Sequence, residues 1–386
     1  MTPTQTETPE YRQFWQTKPG TLSGRFLRHF WHPVYRSQDL AAGQAVPIHI
    51  LSEKFTLYRG ESGAVHMVAP RCAHRGTQLS TGWVEDDCVR CLYHGWKYDA
   101  TGQCVEQPGE DESFATKVRI ASYPAVEYLG LVFGYFGEGE PPPLQRQPDF
   151  EDDGILDLEL PEYWPCNYFN RVDNACDIGH VAFTHFEAIN RERQASGRQR
   201  RYDRSWTCEE TNYGIKTMIS LDGEPAEQFD YHMPIANQNS EGASLHRGGL
   251  DRQGSRNRRI SWRVPVDDGN TVSFSVNLLQ LTPDEYEEYQ ERRRKVAVVD
   301  PEAAGDAILA GKLRERELDS SFPRPALFSV EDYVTQVGQG PIAPREHDHL
   351  GKNDHGVILL RKLWERELRA LAEGKPLKDW TSKDGD

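Results

Sequence analysis

Cys72, His74, Cys91 and His94 form two close-set pairs, C-x-H and C-x2-H, with sixteen residues between them. Each pair offers one thiol and one imidazole. Four such ligands could close a tetrahedral zinc site. They could equally hold an iron–sulfur cluster in which one iron takes two thiolates and the other two imidazoles. The order favours the cluster, because a zinc finger of the familiar kind groups its cysteines and then its histidines. Here two hairpin-like loops each supply one of both. Cys88, Cys104, Cys166, Cys176 and Cys208 read as small buried side chains.

A second group follows in WPCNYFNRVDNACDIGHVAFTHFE (164–187), where Asp177, His180 and His185 stand as D-x2-H-x4-H. Two neutral imidazoles and one carboxylate on one face of Fe(II) leave positions open for oxygen. On a helix Asp177 and His180, three apart, share a face. Histidines five apart diverge by about 140°, so both reach one metal only if the helix ends or bulges, with Val181–Thr184 the expected place.

The residues around the first group, H-R-G after His74 and Y-H-G-W around His94, resemble the Rieske domains of oxygenases. Over most of its length the chain resembles the terminal oxygenase (alpha) component of Rieske non-haem iron aromatic oxygenases. The likeness is greatest to the phthalate dioxygenase-like and O- or N-demethylase branch. That resemblance implies a [2Fe–2S] cluster with Cys72 and Cys91 on one iron and His74 and His94 on the other. It implies a mononuclear Fe(II) on His180, His185 and a carboxylate from a late helix. The match FSVEDYVTQVGQGPI (328–342) places that carboxylate at Asp332 rather than at its neighbour Glu331. Asp177 then becomes a bridge for electrons between a Rieske histidine of one subunit and an iron-bound histidine of the next. Asn174 matches a family position near the iron. Ala73 and Tyr93 fill the loop interiors, so the disulfide of respiratory Rieske proteins is absent. The cluster should lie at the low end of the Rieske range, roughly −150 mV. The stretch Pro344-Arg345-Glu346-His347 departs from relatives and bears on the pocket rim.

The elements that must position these groups are also legible. Residues 24–136 alternate short apolar runs with turn residues, among them 45–51, 54–60, 64–70 and 129–137, as in a small antiparallel β domain. GEGEPPPLQRQPDFEDDG (137–154) is a linker. Beyond it, strands are expected at 214–221, 258–266 and 271–281. A charged helix is expected at 284–299, and a last one through Val357, Leu360, Trp364, Leu368 and Leu371, stopped by Gly374 and Pro376. The expected fold class is α+β: an all-β Rieske domain over 1–150, then a catalytic domain over 151–386, by resemblance a helix-grip (START-like) fold. Two arginine-rich segments, 191–204 and 246–259, read as solvated loops, with carboxylate recognition and partner docking as the sharper alternatives. Asn237, His246 and Trp262 could line a pocket, whereas His347, His349 and His355 read as surface residues.

The chain has 386 residues, with 45 basic against 60 acidic side chains and a net charge of −15, which argues against nucleic-acid binding. No apolar run is long enough for a membrane span, and the polar first fifteen residues lack a signal-peptide core. A cytoplasmic location is expected. The expected function is a terminal oxygenase that mono-oxygenates a substituted aromatic compound by oxidative O- or N-dealkylation. Its electrons would come from a ferredoxin or a flavin-dependent NAD(P)H reductase, and relatives of this length imply a homotrimer. Ring cis-dihydroxylation is the alternative within the class, and a Rieske electron carrier without catalysis the alternative outside it.

Overall fold

The structure, a computed structural model, describes residues 9–188, 204–221, 224–240, 257–296, 299–318, 322 and 324–380. The chain divides into two compact units. One comprises residues 16–145 with 264–267; the other comprises 1–15, 146–263 and 268–386. The division falls within the expected linker. Residues 9–15, however, belong with the second unit, because Phe14 stacks on Phe169 at 4.9 Å and Asn167 Nδ2 donates to the Trp15 carbonyl at 2.9 Å.

The first unit is built from three small antiparallel sheets. Trp31–Arg36, Leu131–Tyr135 and Ala125–Tyr128 make one; Ala45–Ile50, Glu53–Arg59, Val65–Val68 and Ser122–Tyr123 make the second. In Ala45–Ile50 the buried Ile48 and Ile50 alternate with exposed Pro47 and His49, the period-two pattern of a strand with one wet face. The third sheet, Trp83–Glu85, Cys88–Arg90, Lys97–Tyr98 and Cys104–Glu106, carries the second Cys/His loop between its two middle strands. Tyr58, Val68, Leu79, Val89, Trp96 and Tyr98 form the core beneath both loops.

Elements of the second unit are numbered within that unit. Strands β1 (Ile155–Leu158), β2 (Glu162–Trp164), β3 (Arg204–Glu210), β4 (Gly214–Leu221), β5 (Glu224–His232), β6 (Ala236–Ser240), β7 (Arg258–Asp267) and β8 (Asn270–Leu279) form one antiparallel sheet. Its order is β1-β8-β7-β6-β5-β4-β3, with β2 also paired to β8. Nine of the ten residues of β8 are buried, so both faces of the sheet are covered there. Helices α1 (Tyr168–Ala175), α2 (Val181–Thr184), α3 (Pro283–Val296), α4 (Pro301–Leu309), α5 (Arg324–Val337) and α6 (His355–Ala372) complete the unit.

Helix α1 starts where Asn167 caps it, its side chain accepting the Phe169 N–H at 2.9 Å. It is then pinned from the far end of the chain. Asp173 accepts from Arg345 at 2.8 Å and from Arg361 at 2.8 and 3.1 Å, and Asn170 Nδ2 donates to the Gly340 carbonyl at 3.1 Å. Arg345, in the stretch that departs from relatives, is thus a structural clamp on α1. No helix among the described residues is long and apolar enough to cross a membrane.

Candidate metal centres

The two Cys/His loops of the first unit repeat one backbone design. The Cys72 N–H donates to the Thr77 carbonyl at 2.8 Å, and the Gly76 N–H returns to the Cys72 carbonyl at 2.9 Å. The Cys91 N–H donates to the Trp96 carbonyl at 2.8 Å, and the Gly95 N–H to the Cys91 carbonyl at 3.0 Å. Both turns need a left-handed residue, supplied by Gly76 at φ 75° and Gly95 at φ 73°. The paired turns set both thiols inward and both imidazoles outward: Cys72 and Cys91 are buried, whereas His74 and His94 are exposed with ring centroids 4.5 Å apart. Trp96 stacks flat on His74 at 4.5 Å. Arg90 braces the second loop, donating to the Gly95 carbonyl and to Glu85 and Glu106, each at 2.7 Å. All seven cysteines are free, so no disulfide joins the loops.

Burial pushes the Cys72 thiol up, a cost that metal binding would remove. Two buried thiols and two outer imidazoles suit a cluster with one iron deep and one iron shallow. A single zinc ion fits less well. Among the described residues, the group that could hold a single metal ion, its candidate ligand atoms all within 4.8 Å of one another, is His180, His185 and Asp332; the four Cys/His residues do not form such a group.

That second group is assembled by α1, α2 and α5. Asp177 and His180 do not share a helix, contrary to the reading from spacing. Helix α1 ends at Ala175, with Cys176 as its C-cap, and α2 is a single turn with His180 and His185 at its two ends. His185 has left helical geometry at φ −88°, ψ 31°. The break lies at both ends of Val181–Thr184 rather than within it, and this turns the two rings toward each other at 5.4 Å.

Each ring is held by its Nδ1. His180 Nδ1 bonds the Asp177 carbonyl, while the Asp177 carboxylate accepts the His180 N–H at 3.3 Å. His185 Nδ1 donates to Glu331 Oε2 at 3.0 Å, and Glu331 Oε1 accepts the Ala188 N–H at 3.0 Å. Both Nε2 atoms therefore face Asp332 Oδ1, at 3.9 Å from His180 and 3.6 Å from His185. Asp332 is itself held by Gln336 Nε2 at 3.1 Å, one turn along α5, and by Asn174 Nδ2 at 3.4 Å. Burial lowers both histidine pKa values, against an opposing pull from Asp332, which keeps them neutral and ready to ligate. Burial pushes the Glu331 carboxyl up to about 7 and that of its hydrogen-bonded neighbour Glu315 up to about 8.

Sequence reasoning treated Glu331 only as a rival ligand, and its contact with His185 depends on a fold that spacing does not reveal. Gln336, four residues after Asp332 on α5, was recoverable from helical spacing. Of the arginine-rich segments, 191–203 and 246–256 lie outside the described residues, as does His246; Arg258 and Arg259 pair with Asp152 and Glu159. His347 and His349 are exposed, whereas His355 is half-buried, its ring stacked with Trp206 at 5.9 Å.

Residues 30–124 match the family described as the Rieske [2Fe-2S] domain. Across 92% of this chain and 79% of its own length, the 5,5'-dehydrodivanillate O-demethylase oxygenase subunit of Sphingobium sp. is 26% identical. The phenoxybenzoate dioxygenase subunit alpha of Ectopseudomonas oleovorans is 28% identical, over 92% of this chain and 84% of its own. This chain is a Rieske-type oxygenase. The solved structure of Pseudomonas putida CBB5 NdmA shares the fold, with a TM-score of 0.64 at 18% identity, covering 90% of this chain and 92% of that one. The oxygenase uses a Rieske [2Fe–2S] cluster and a mononuclear iron, and the two donor sets suit those groups.

Tyr98 is placed to tune a cluster held at the first site: its hydroxyl lies 3.2 Å from Cys72 Sγ and accepts the Ala73 N–H at 3.1 Å. A donor to a cluster sulfur stabilises the more negative, reduced state. Tyr98→Phe is expected to lower the midpoint potential by on the order of 50 mV, the one-electron equivalent of a hydrogen bond of about 1 kcal/mol. Protein-film voltammetry checks the sign, and an unchanged or raised potential would deny Tyr98 this role.

Proposed function

We propose that this Rieske oxygenase performs oxidative O- or N-dealkylation of a substituted aromatic compound. Cys72, His74, Cys91 and His94 would hold the cluster, and His180, His185 and Asp332 the mononuclear iron. The observation that carries the site assignment is the convergence of three ligand atoms at one point, with each Nδ1 satisfied elsewhere. The dealkylation reading is supported by the O-demethylase relative, which matches nearly the whole chain. When bound, the iron supplies the chemistry of dioxygen activation, using single electrons passed on by the cluster.

The protein's own part is positional. Glu331 and the Asp177 carbonyl hold the two imidazoles in the tautomer whose Nε2 is a lone-pair donor. Gln336 and Asn174 hold one oxygen of Asp332 and so fix the angle at which the carboxylate is presented. Glu331 is the support of His185 in this reading, and Asp332 the ligand. A ferredoxin or flavin reductase would be the electron source, in a cytoplasmic homotrimer. Exposed His74 and His94 suit contact with a neighbouring subunit, where Asp177 would serve as the bridge. Asp177→Asn is then expected to keep both metals and the Rieske spectrum while substrate-coupled electron transfer falls at least about ten-fold; normal turnover removes the bridging role.

Product analysis under labelled dioxygen tests the reaction class. The reduced enzyme is given methoxy- and N-alkyl-substituted aromatics, and aldehyde release with one labelled oxygen in the primary product is expected. A ring diol carrying both labelled oxygens would place the enzyme among the dihydroxylases instead, the activity in the name of the phenoxybenzoate relative.

A further inference from the structure

Tyr333 directly follows Asp332, the proposed ligand, on α5, so their Cα atoms are about 3.8 Å apart. The two side chains diverge. Asp332 turns toward the histidines, while the Tyr333 ring, 3% exposed, packs against α4. Gly305 of α4 makes that approach possible, because a Cβ there would fall 2.4 Å from Tyr333 Cδ1. The next residue, Asp306, accepts a hydrogen bond from the Tyr333 hydroxyl at 2.8 Å. Asp306 is exposed, so a proton it received would pass on to water. The ring also meets Trp164 of β2 edge-on at 5.3 Å. Both rings line a cavity of about 230 Å³, together with Glu162, Asp300, Glu302 and Ser329.

An enzyme that activates dioxygen makes an oxidising equivalent that, without substrate, has only the protein to attack. A phenol gives up an electron readily only when its proton leaves with it, because the phenol radical cation is a strong acid. Tyr333 meets that condition and the neighbouring indoles do not. Trp164 Nε1 is buried without a hydrogen-bond partner, and the Arg171 guanidinium 3.5 Å above the ring makes a positive charge there costly. The Trp206 ring lies 3.9 Å from where a Cβ on Gly179 would stand, beside His180, and its Nε1 is also buried and unpartnered. Phe328, 4.6 Å from His185, carries no acidic proton.

We propose that Tyr333, with Asp306 as its proton acceptor, is a redox-active side chain that takes up oxidising equivalents left at the iron site when oxygen is activated without substrate, and so spares the ligand histidines. This role rests on the proposed iron site. One electron leaves the phenol toward that site. The phenolic O–H bond breaks, its proton goes to Asp306 and then to water, and a neutral phenoxyl radical remains. A neutral thiol suits the cavity, whose acidic lining repels anions. Its S–H bond breaks, the phenolic O–H bond re-forms, and two thiyl radicals couple to a disulfide.

The test uses the reconstituted holoenzyme, reduced and then exposed to dioxygen without substrate in the presence of a nitroso spin trap. Electron paramagnetic resonance and peptide mass spectrometry are the readouts. The wild type is expected to give a tyrosyl radical and a trap adduct on Tyr333. Tyr333→Phe, which keeps the ring and its packing, should lose both and show more oxidation of His180 and His185. Asp306→Asn, at an exposed position, should cut the radical yield by about ten-fold or more, the loss of a positioned proton acceptor. Asp332→Ala, without the third iron, should form no radical. Any of five results would overturn the proposal: an iron-loaded wild type with neither radical nor adduct at Tyr333, a signal that survives Tyr333→Phe, an undiminished yield in Asp306→Asn, a Tyr333 radical in Asp332→Ala, or ligand histidines no more oxidised in Tyr333→Phe than in the wild type. All five leave the site assignment standing if the wild type binds its third iron. A wild type that takes up no mononuclear iron on reconstitution would overturn the site assignment, and this role with it.

Discussion

Two imidazole rings must aim their Nε2 atoms at a carboxylate that arrives from a helix about 150 residues later in the chain, and this requirement organises the second unit. A histidine ring is free to flip and to change tautomer unless its other nitrogen is tied. Here both Nδ1 atoms are tied, one to a backbone carbonyl three residues back and one to the buried carboxylate of Glu331. Because Glu331 and Asp332 are adjacent on α5, one short stretch of helix would both ligate the proposed iron and orient His185. Any shift of α5 against α2 would disturb the ligand and the support of His185 together. The clamp of Arg345 and Arg361 on Asp173 limits such motion by fixing α1, from which Asn174 reaches Asp332.

The first unit solves a related problem with backbone rather than side chains. Two turns of the same hydrogen-bonding form, each closed through a left-handed glycine, set a thiol inward and an imidazole outward. The inner pair is shielded by Tyr98 and the core, and the outer pair is exposed, with Trp96 fixing His74. A donor set split in this way accommodates two irons in different surroundings, which four ligands around one ion would not require.

Much of this was legible in the residues. The β domain, the linker, β4, β7 and the last helix follow from apolar periodicity and turn residues. The Cys/His order favours a cluster over a zinc finger. Other features were not legible, for definite reasons. Spacing placed Asp177 and His180 on one helix face, but α1 stops at Ala175 and the backbone turns through Ile178 and Gly179, so the His180 ring meets the Asp177 carbonyl and the Asp177 carboxylate meets only the His180 backbone N–H. The attachment of residues 9–15 to the second unit depends on Phe14 meeting Phe169 and Trp364, pairings some 150 and 350 positions away that no local pattern encodes.

In the proposed reading one protein chain holds a two-iron cluster and, at His180, His185 and Asp332, a separate single iron. Iron and acid-labile sulfide per chain, measured on reconstituted wild type and Asp332→Ala, test it most directly. The expected ratio is three irons to two sulfides in the wild type, two from the cluster and one more, falling to two irons in the variant with an unaltered Rieske spectrum. A ratio of one in the reconstituted wild type, or a variant that keeps its third iron, would rule out a separate iron on these three residues.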